Sequence, residues 1–267
     1  MPELPEVETI KESLQGMVGL TIDDIKVMKP EYIRSWENRP ADYIGQRISA
    51  ISRRGKFLIF ETDTGRYMVA HLGMSGRVYL EPRGKELQKH VHIVFELDNE
   101  LELWFQDARR FGGLWLVKDP RIMLKDMGIE PLSRNFNSRY LKPLLSNRRV
   151  AIKTLLLNQH LIGGIGNIYA DEALYEAGIR PDRSAGSLEP GEVDRLVQAI
   201  KQVLRSGIDQ RGTTLRDFQD GYKQKGEFQD YLKVYGRQDL PCPRCQQPVV
   251  RQVINGRSSH FCPSCQK

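Results

Sequence analysis

Four cysteines, Cys242, Cys245, Cys262 and Cys265, are the only ones among 267 residues. They fall as C-x2-C, sixteen residues, then C-x2-C, the spacing of a four-thiolate zinc site. Two disulfides are the other chemistry open to them, and a chain with no other cysteine and no secretory leader argues against it. Four sulfur ligands leave no open position for water, so the expected single zinc is structural and a zinc nuclease is excluded. Such a site binds with on the order of 10–16 kcal/mol, enough to fold a short hairpin that has almost no core.

Carboxylates and glycines supply the other candidates. The chain opens "MPELPEVE", with Pro2 beside Glu3 and Glu6. The simplest reading is an amphipathic helix that starts with prolines, because Pro5 in a first turn gives up no hydrogen bond. Glu6 would then be a solvated or capping acid. "GGIGN" (163–167) lies between two helical patterns. It is either an ordinary Gly-rich connection or a phosphate clamp, in which Gly166 and Asn167 offer the following helix's N-terminus to an anion. "HLGMSG" (71–76) and "DARRFGG" (107–113) set Met74, Arg109 and Phe111 next to glycines at turns. These side chains are either core residues or wedges that fill the space left by an extruded nucleotide. His90 and His92 are either a two-residue chelate or part of a solvated strand face.

Net charge is +6, which suits a polyanionic partner without proving one. The distribution says more. Residues 236–267 carry Arg237, Arg244, Arg251, Arg257 and Lys267 against the single acid Asp239, a nucleic-acid footprint. The first twenty residues do not read as a signal peptide and no run approaches a membrane span, so a cytoplasmic protein without a membrane partner is expected.

These residues must be held by elements of two periods. Leu4, Val7, Ile10, Leu14 and Met17 mark one face of the first helix. From Lys56 to Lys118, "KFLIFET", "YMVAHLGM", "RVYLE", "HVHIVFEL", "LELWFQ" and "GGLWLVK" read as short strands separated by turns. The fold class is therefore α+β and multidomain: an N-terminal helix plus β-sandwich over 1–127, a linker at 128–137, a helical domain over 138–235 and a cysteine hairpin over 236–267. In the helical domain "VAIKTLLLNQ", "IYADEALYEAG" and "GEVDRLVQAIKQVLRSGI" are helices, the second closed by Gly178. "QDGYKQKGEF" (219–228) reads as a mobile loop.

Taken together, "MPELPEVE", "RRGKFL", "HLGMSG", "ARRFG", "GIGNIYADEALYEAGI", "GTTLRDF" and "GRSSHFCPSCQ" resemble the formamidopyrimidine-DNA glycosylase family, in order and over essentially the whole chain. The resemblance implies a β-sandwich, a helix–two-turn–helix domain and a zinc finger. It implies a monomeric, nucleoid-associated DNA glycosylase and AP lyase of base excision repair. Its partner would be double-stranded DNA with damaged bases or abasic sites. It would excise oxidised purines (8-oxoguanine, formamidopyrimidines) and nick the strand by β,δ-elimination. A scaffold-retaining DNA-binding protein with altered lesion range or weak catalysis is the alternative.

The resemblance also gives Pro2 a role. With Met1 removed, Pro2 carries a free secondary amine. An α-amino group has a pKa of about 7.7–8 against about 10.4 for lysine, so a lysine would need roughly 4 kcal/mol of perturbation to match it. The helix start lowers the amine's pKa further. Its attack on a sugar carbon gives an iminium, the electron sink for elimination. By resemblance Glu3 is the general acid/base, Glu6 its supporting carboxylate and Lys56 the hairpin lysine near the lesion. His71, Asn167 and Arg257 match phosphate-binding positions, Lys153 resembles a further basic contributor near the site, and Met74, Arg109 and Phe111 match the intercalating set. Val91, Ala108 and Asn158 depart from the family pattern, which bears on lesion preference. Leu4 favours this branch over endonuclease VIII, where glycine is usual.

Overall fold

The computed structural model describes residues 2–267; Met1, whose removal the Pro2 chemistry requires, lies outside them. The chain forms two compact units, one running up to Lys125 and including Arg211–Glu227, the other comprising Asp126–Gln210 and Phe228–Lys267. No helix among the described residues is long and apolar enough to cross a membrane.

The first unit begins with helix α1 (Leu4–Ser13), whose apolar face is buried from Leu4 through Val7 and Ile10, with Leu14 and Met17 continuing it in the turn beyond. Nine strands follow. They are β1 (Ile22–Val27), β2 (Ile33–Trp36), β3 (Ile48–Arg54), β4 (Phe57–Thr62), β5 (Tyr67–His71), β6 (Gly76–Pro82), β7 (Val91–Leu97), β8 (Leu101–Asp107) and β9 (Gly113–Val117). They make a four-stranded sheet, β1-β7-β8-β6, and a five-stranded sheet, β2-β9-β5-β4-β3. Only β2 and β9 pair in parallel. The core contains Ile10 of α1, Leu14 just beyond it and the inward residues Leu58, Phe60, Phe95, Phe105 and Leu114. Burying a side chain of this size contributes about 1.5–3 kcal/mol. Arg53 Nε donates to Glu8 Oε2 at 2.6 Å and ties β3 to α1.

A short helix, α2 (Pro120–Met123), ends this run. The second unit holds α3 (Ser138–Leu145), α4 (Ile152–Leu156), α5 (Asn167–Ala177) and α6 (Pro190–Asp209). Gly178 closes α5 in the left-handed region at φ 73°. Helices α5 and α6 approach closely at Gly207, where a Cβ would sit 2.5 Å from the Tyr169 ring. The cysteine hairpin is β10 (Val250–Ile254) and β11 (Arg257–Phe261). Asn255 and Gly256 join them with φ of 45° and 73°, the two-residue turn that Asn-Gly favours.

Residues 128–137, expected as a linker, pack in the second unit: Ile129 bridges Ile162, and Phe136 is fully buried. Residues 211–227, expected within the helical domain, pack in the first unit. Their supposed mobile loop is anchored there. Leu80 N–H donates to the Gly221 carbonyl at 2.8 Å, and Gly221 N–H donates to Ser13 Oγ at 3.0 Å. Lys223 pairs with buried Glu81 and lies over the Tyr79 ring.

Candidate active site and nucleic-acid interface

At the start of α1, Pro2 is half-buried and Glu3 buried. Glu6, 1% exposed, accepts from Glu3 N–H on Oε2 and from Thr213 N–H on Oε1, both at 2.7 Å. Glu6 is therefore not a solvated acid. It caps the helix, and in doing so it fixes the backbone of Glu3 and of the "GTTL" segment. Gly212, at φ 81°, lets that segment lie against it, since a Cβ would stand 3.0 Å from Glu6 Cγ.

Lys56 lies in the two-residue turn between β3 and β4, where Gly55 takes φ 57°. The side chain is buried. His71 ends β5, facing Phe57 across the strand pair with ring centroids 4.8 Å apart. Burial first, and then the Lys56 charge, push the His71 pKa down to about 4, with Asp107 pulling the other way. Its Nδ1 accepts from Gly73 N–H at 3.2 Å, so the neutral ring carries its proton on Nε2.

The wedge candidates stand out from the surface. Phe111 is 62% and Met74 50% exposed, and Arg109 is exposed beside them in sequence. They are not core residues. His90 and His92 form no chelate. His90 is exposed at φ 69°, whereas His92 is buried against Tyr32 with Nε2 2.7 Å from the Asp107 carbonyl. The solvated-face reading fails for His92 because Tyr32 covers its ring and the Asp107 carbonyl takes its Nε2.

In the second unit Gly166 is the N-cap of α5 and Gly164 takes φ 96°. Gln159, a residue the motif reading passed over, holds this turn by accepting from Gly164 N–H at 2.9 Å and donating to the Ile165 carbonyl at 2.8 Å. Asn167 Nδ2 donates to the Ser258 carbonyl at 2.9 Å, next to exposed Arg257 at the start of β11.

Lys153 departs from expectation. It is 1% exposed, with Nζ 2.6 Å from Asp171 Oδ1 and donating to Ser258 O at 2.7 Å and Ser259 Oγ at 2.9 Å. Asp171 Oδ2 in turn accepts from His260 N–H at 2.8 Å. The ammonium has acceptors from α5 and β11, so it fastens the hairpin to the helices. Nothing in the sequence signals this pairing, because Lys153 on α4 and Asp171 on α5 meet only in the fold.

The four cysteine sulfurs all lie within 4.8 Å of one another, and they form the only group of three or more potential metal ligands among the described residues. The Cys242–Cys265 and Cys245–Cys262 separations, 3.9 and 3.4 Å, exclude disulfides. Zinc–sulfur bonds of about 2.3 Å in a tetrahedron put sulfurs about 3.8 Å apart, so the set fits one zinc ion. Backbone N–H groups of Arg244 and Cys265 point at the sulfurs of Cys242 and Cys262, both at 3.4 Å, and would offset thiolate charge.

Comparison with known proteins covers the same ground. The formamidopyrimidine-DNA glycosylase N-terminal domain matches residues 1–114, its H2TH domain 127–219, and the zinc finger found in FPG and IleRS 239–267. The hairpin is thus a zinc finger. The chain is 53% identical over 268 residues to the formamidopyrimidine-DNA glycosylase of Syntrophomonas wolfei and 46% over 275 residues to that of Desulforamulus reducens. The former match covers all of both chains; the latter covers all of this one and 99% of the relative. Among solved structures, a variant Lactococcus lactis FPG bound to Fapy-dG-containing DNA superposes with a TM-score of 0.94 at 32% identity, covering all of both chains. The same organism's Fpg with abasic-site DNA gives 0.93 at 32% identity over 99% of each chain. A relative more than half identical from end to end admits one assignment: this chain belongs to the formamidopyrimidine-DNA glycosylase family.

Proposed function

We propose that the protein excises oxidised purines from double-stranded DNA and then cleaves the strand as an AP lyase, acting as a monomer in the cytoplasm on nucleoid DNA. The observation that carries this reading is the clamp at the chain start. Glu6 holds Glu3 and Thr213 from two sides, one residue beyond a proline whose amine becomes free when Met1 is removed.

The chemistry follows from those groups. The Pro2 nitrogen bonds to C1′ and gives up its proton. The glycosidic C–N bond breaks, and the base leaves with the electron pair and takes up a proton. Opening of the C1′–O4′ bond leaves a cationic iminium on C1′, and Glu3 supplies the proton to O4′. The iminium then draws electrons as a C2′ proton is lost and the 3′ phosphate departs, and a second elimination releases the 5′ phosphate. Lys56, at its hairpin turn, and His71, as a neutral donor, are assigned to the phosphates around the lesion. Asn167, the N-terminus of α5 that follows Gly166, and Arg257 are assigned to the backbone. Zinc supplies no chemistry beyond holding the hairpin that carries Arg257.

Duplexes carrying a single 8-oxoguanine, formamidopyrimidine or abasic site test this. The expected products are a free base and a one-nucleotide gap with phosphate at both ends. Tight binding of all three duplexes with no strand cleavage would instead select a DNA-binding protein on a retained scaffold.

A further inference from the structure

Asp107 is among the least exposed charged residues of the first unit, at 0%, and none of the chemistry above uses it. It stands where the chain passes from one sheet to the other. Residues 72–75 cross from β5 to β6, and residues 108–112 cross back from β8 to β9. The strand ends flanking both crossings are paired, His71 with Gly113 and Gly76 with Asp107. The two loops therefore leave the same end of the sandwich side by side. One carries Met74; the other carries Arg109 and Phe111.

The Asp107 carboxylate binds both. Ser75 Oγ, from the first loop, donates to Oδ1 at 2.6 Å. From the second loop, Arg109 N–H donates to Oδ1 at 3.2 Å and Gly112 N–H to Oδ2 at 2.8 Å. Its own carbonyl takes the His92 Nε2 contact at 2.7 Å, which anchors it to β7. Between the loops the backbones touch. A Cβ on Gly73 would fall 2.5 Å from the Phe111 carbonyl carbon, and one on Gly112 would fall 2.4 Å from the His71 oxygen. On the outer side Arg34 donates to the carbonyls of Arg110, at 2.8 Å, and Gly112, at 3.0 Å.

We propose that Asp107 is a positioning residue of the lesion site, setting the two crossover loops in one fixed arrangement so that Met74, Arg109 and Phe111 are presented together before DNA arrives. This rests on the wedge reading of those three side chains. An exposed Phe at the tip of a loop loses rotational and backbone freedom when it enters a base stack. A loop already fixed from beneath loses less, and the difference appears as affinity for DNA from which a nucleotide can be displaced. Undamaged duplex, held through its phosphates, does not use that arrangement.

Asp107→Asn isolates the effect, since an amide keeps the shape but must set an N–H group against one of the N–H donors it now accepts. With a fluorescent purine analogue beside an abasic site, affinity and extrusion signal are measured for abasic and undamaged duplexes, alone and in a Phe111→Ala background. Affinity for undamaged duplex is expected to stay within about twofold, while abasic affinity falls about tenfold and the extrusion signal drops, as for a lost buried charge-assisted hydrogen bond. In the Phe111→Ala background the same substitution is expected to cost less than about twofold, because its target is already gone. Equal losses with and without Phe111, or on both duplexes, would make Asp107 a fold residue only and overturn the proposal. If Phe111→Ala alone weakened both duplexes equally, the wedge reading would fall and this inference with it. Ser75→Ala, which removes one donor at the surface, decides the matter should Asp107→Asn not fold; the expected abasic loss is about threefold, in the same direction.

Discussion

A histidine can hold a phosphate as a cation or as a neutral donor, and the two have different consequences in solution. In its proposed phosphate contact His71 would be of the second kind, since burial and the Lys56 charge keep its pKa near 4 and Nδ1 is occupied by Gly73 N–H. Only Nε2–H remains to donate, with no charge to displace a counterion. His71→Ala is therefore expected to weaken binding to any duplex while leaving the salt slope unchanged at pH 7. Arg257→Ala, which removes an exposed cation, is expected to lower the slope by about 0.9. Without DNA the same residue shapes acid stability. Its folded pKa, about 4, lies below its ordinary 6.5, so the unfolded chain binds more protons between those values. The contribution is fully present above about pH 6.5 and is lost as pH falls toward about 4. In urea melts at pH 7 and pH 5, His71→Gln is expected to reduce that acid loss; an unchanged loss would mean that the ring is not the group responsible.

At the scale of elements, the hairpin and helices are joined by a buried ion pair as well as by the cysteine cluster. Lys153→Ala strands Asp171 in the interior, and a stranded buried charge costs about 3–5 kcal/mol. The expected result is a large drop in urea stability, largely recovered in Lys153→Met/Asp171→Asn; a double variant no better than the single one would show the pair to be incidental. The same pair marks where sequence reading stops. A lysine that resembles a basic contributor near the site gives no sign of its partners in sequence, and only the fold reveals that Asp171, Ser258 and Ser259 surround it. Strands β4 to β9 were legible because their apolar runs are long and bounded by turns. Strands β1, β2 and β3 were not, and all three are sheet edges. "IDDIKV" exposes both aspartates, as an edge that must discourage further pairing does, and so it lacks the clean alternation of a half-buried strand. The zinc ligands were readable from spacing, and the loop placement of Met74, Arg109 and Phe111 from neighbouring glycines. Asp107, Gln159 and Asp171 were not, because each acts on residues its own segment does not contain.

At the scale of the whole chain, the return of residues 211–227 to the first unit is what completes the N-terminal clamp. Glu6 reaches Thr213 across most of the sequence, so the environment of Pro2 depends on both ends of the first unit's chain. The proposed reaction turns on that one amine. Borohydride reduction during incubation with an abasic-site duplex, followed by proteolysis and mass spectrometry of the linked peptide, tests it most directly. The expected result is one DNA adduct per chain, on the peptide beginning at Pro2, absent from protein carrying an extra residue before Pro2. An adduct on Lys56 or any other lysine, or one that survives the blocked N-terminus undiminished, would contradict it.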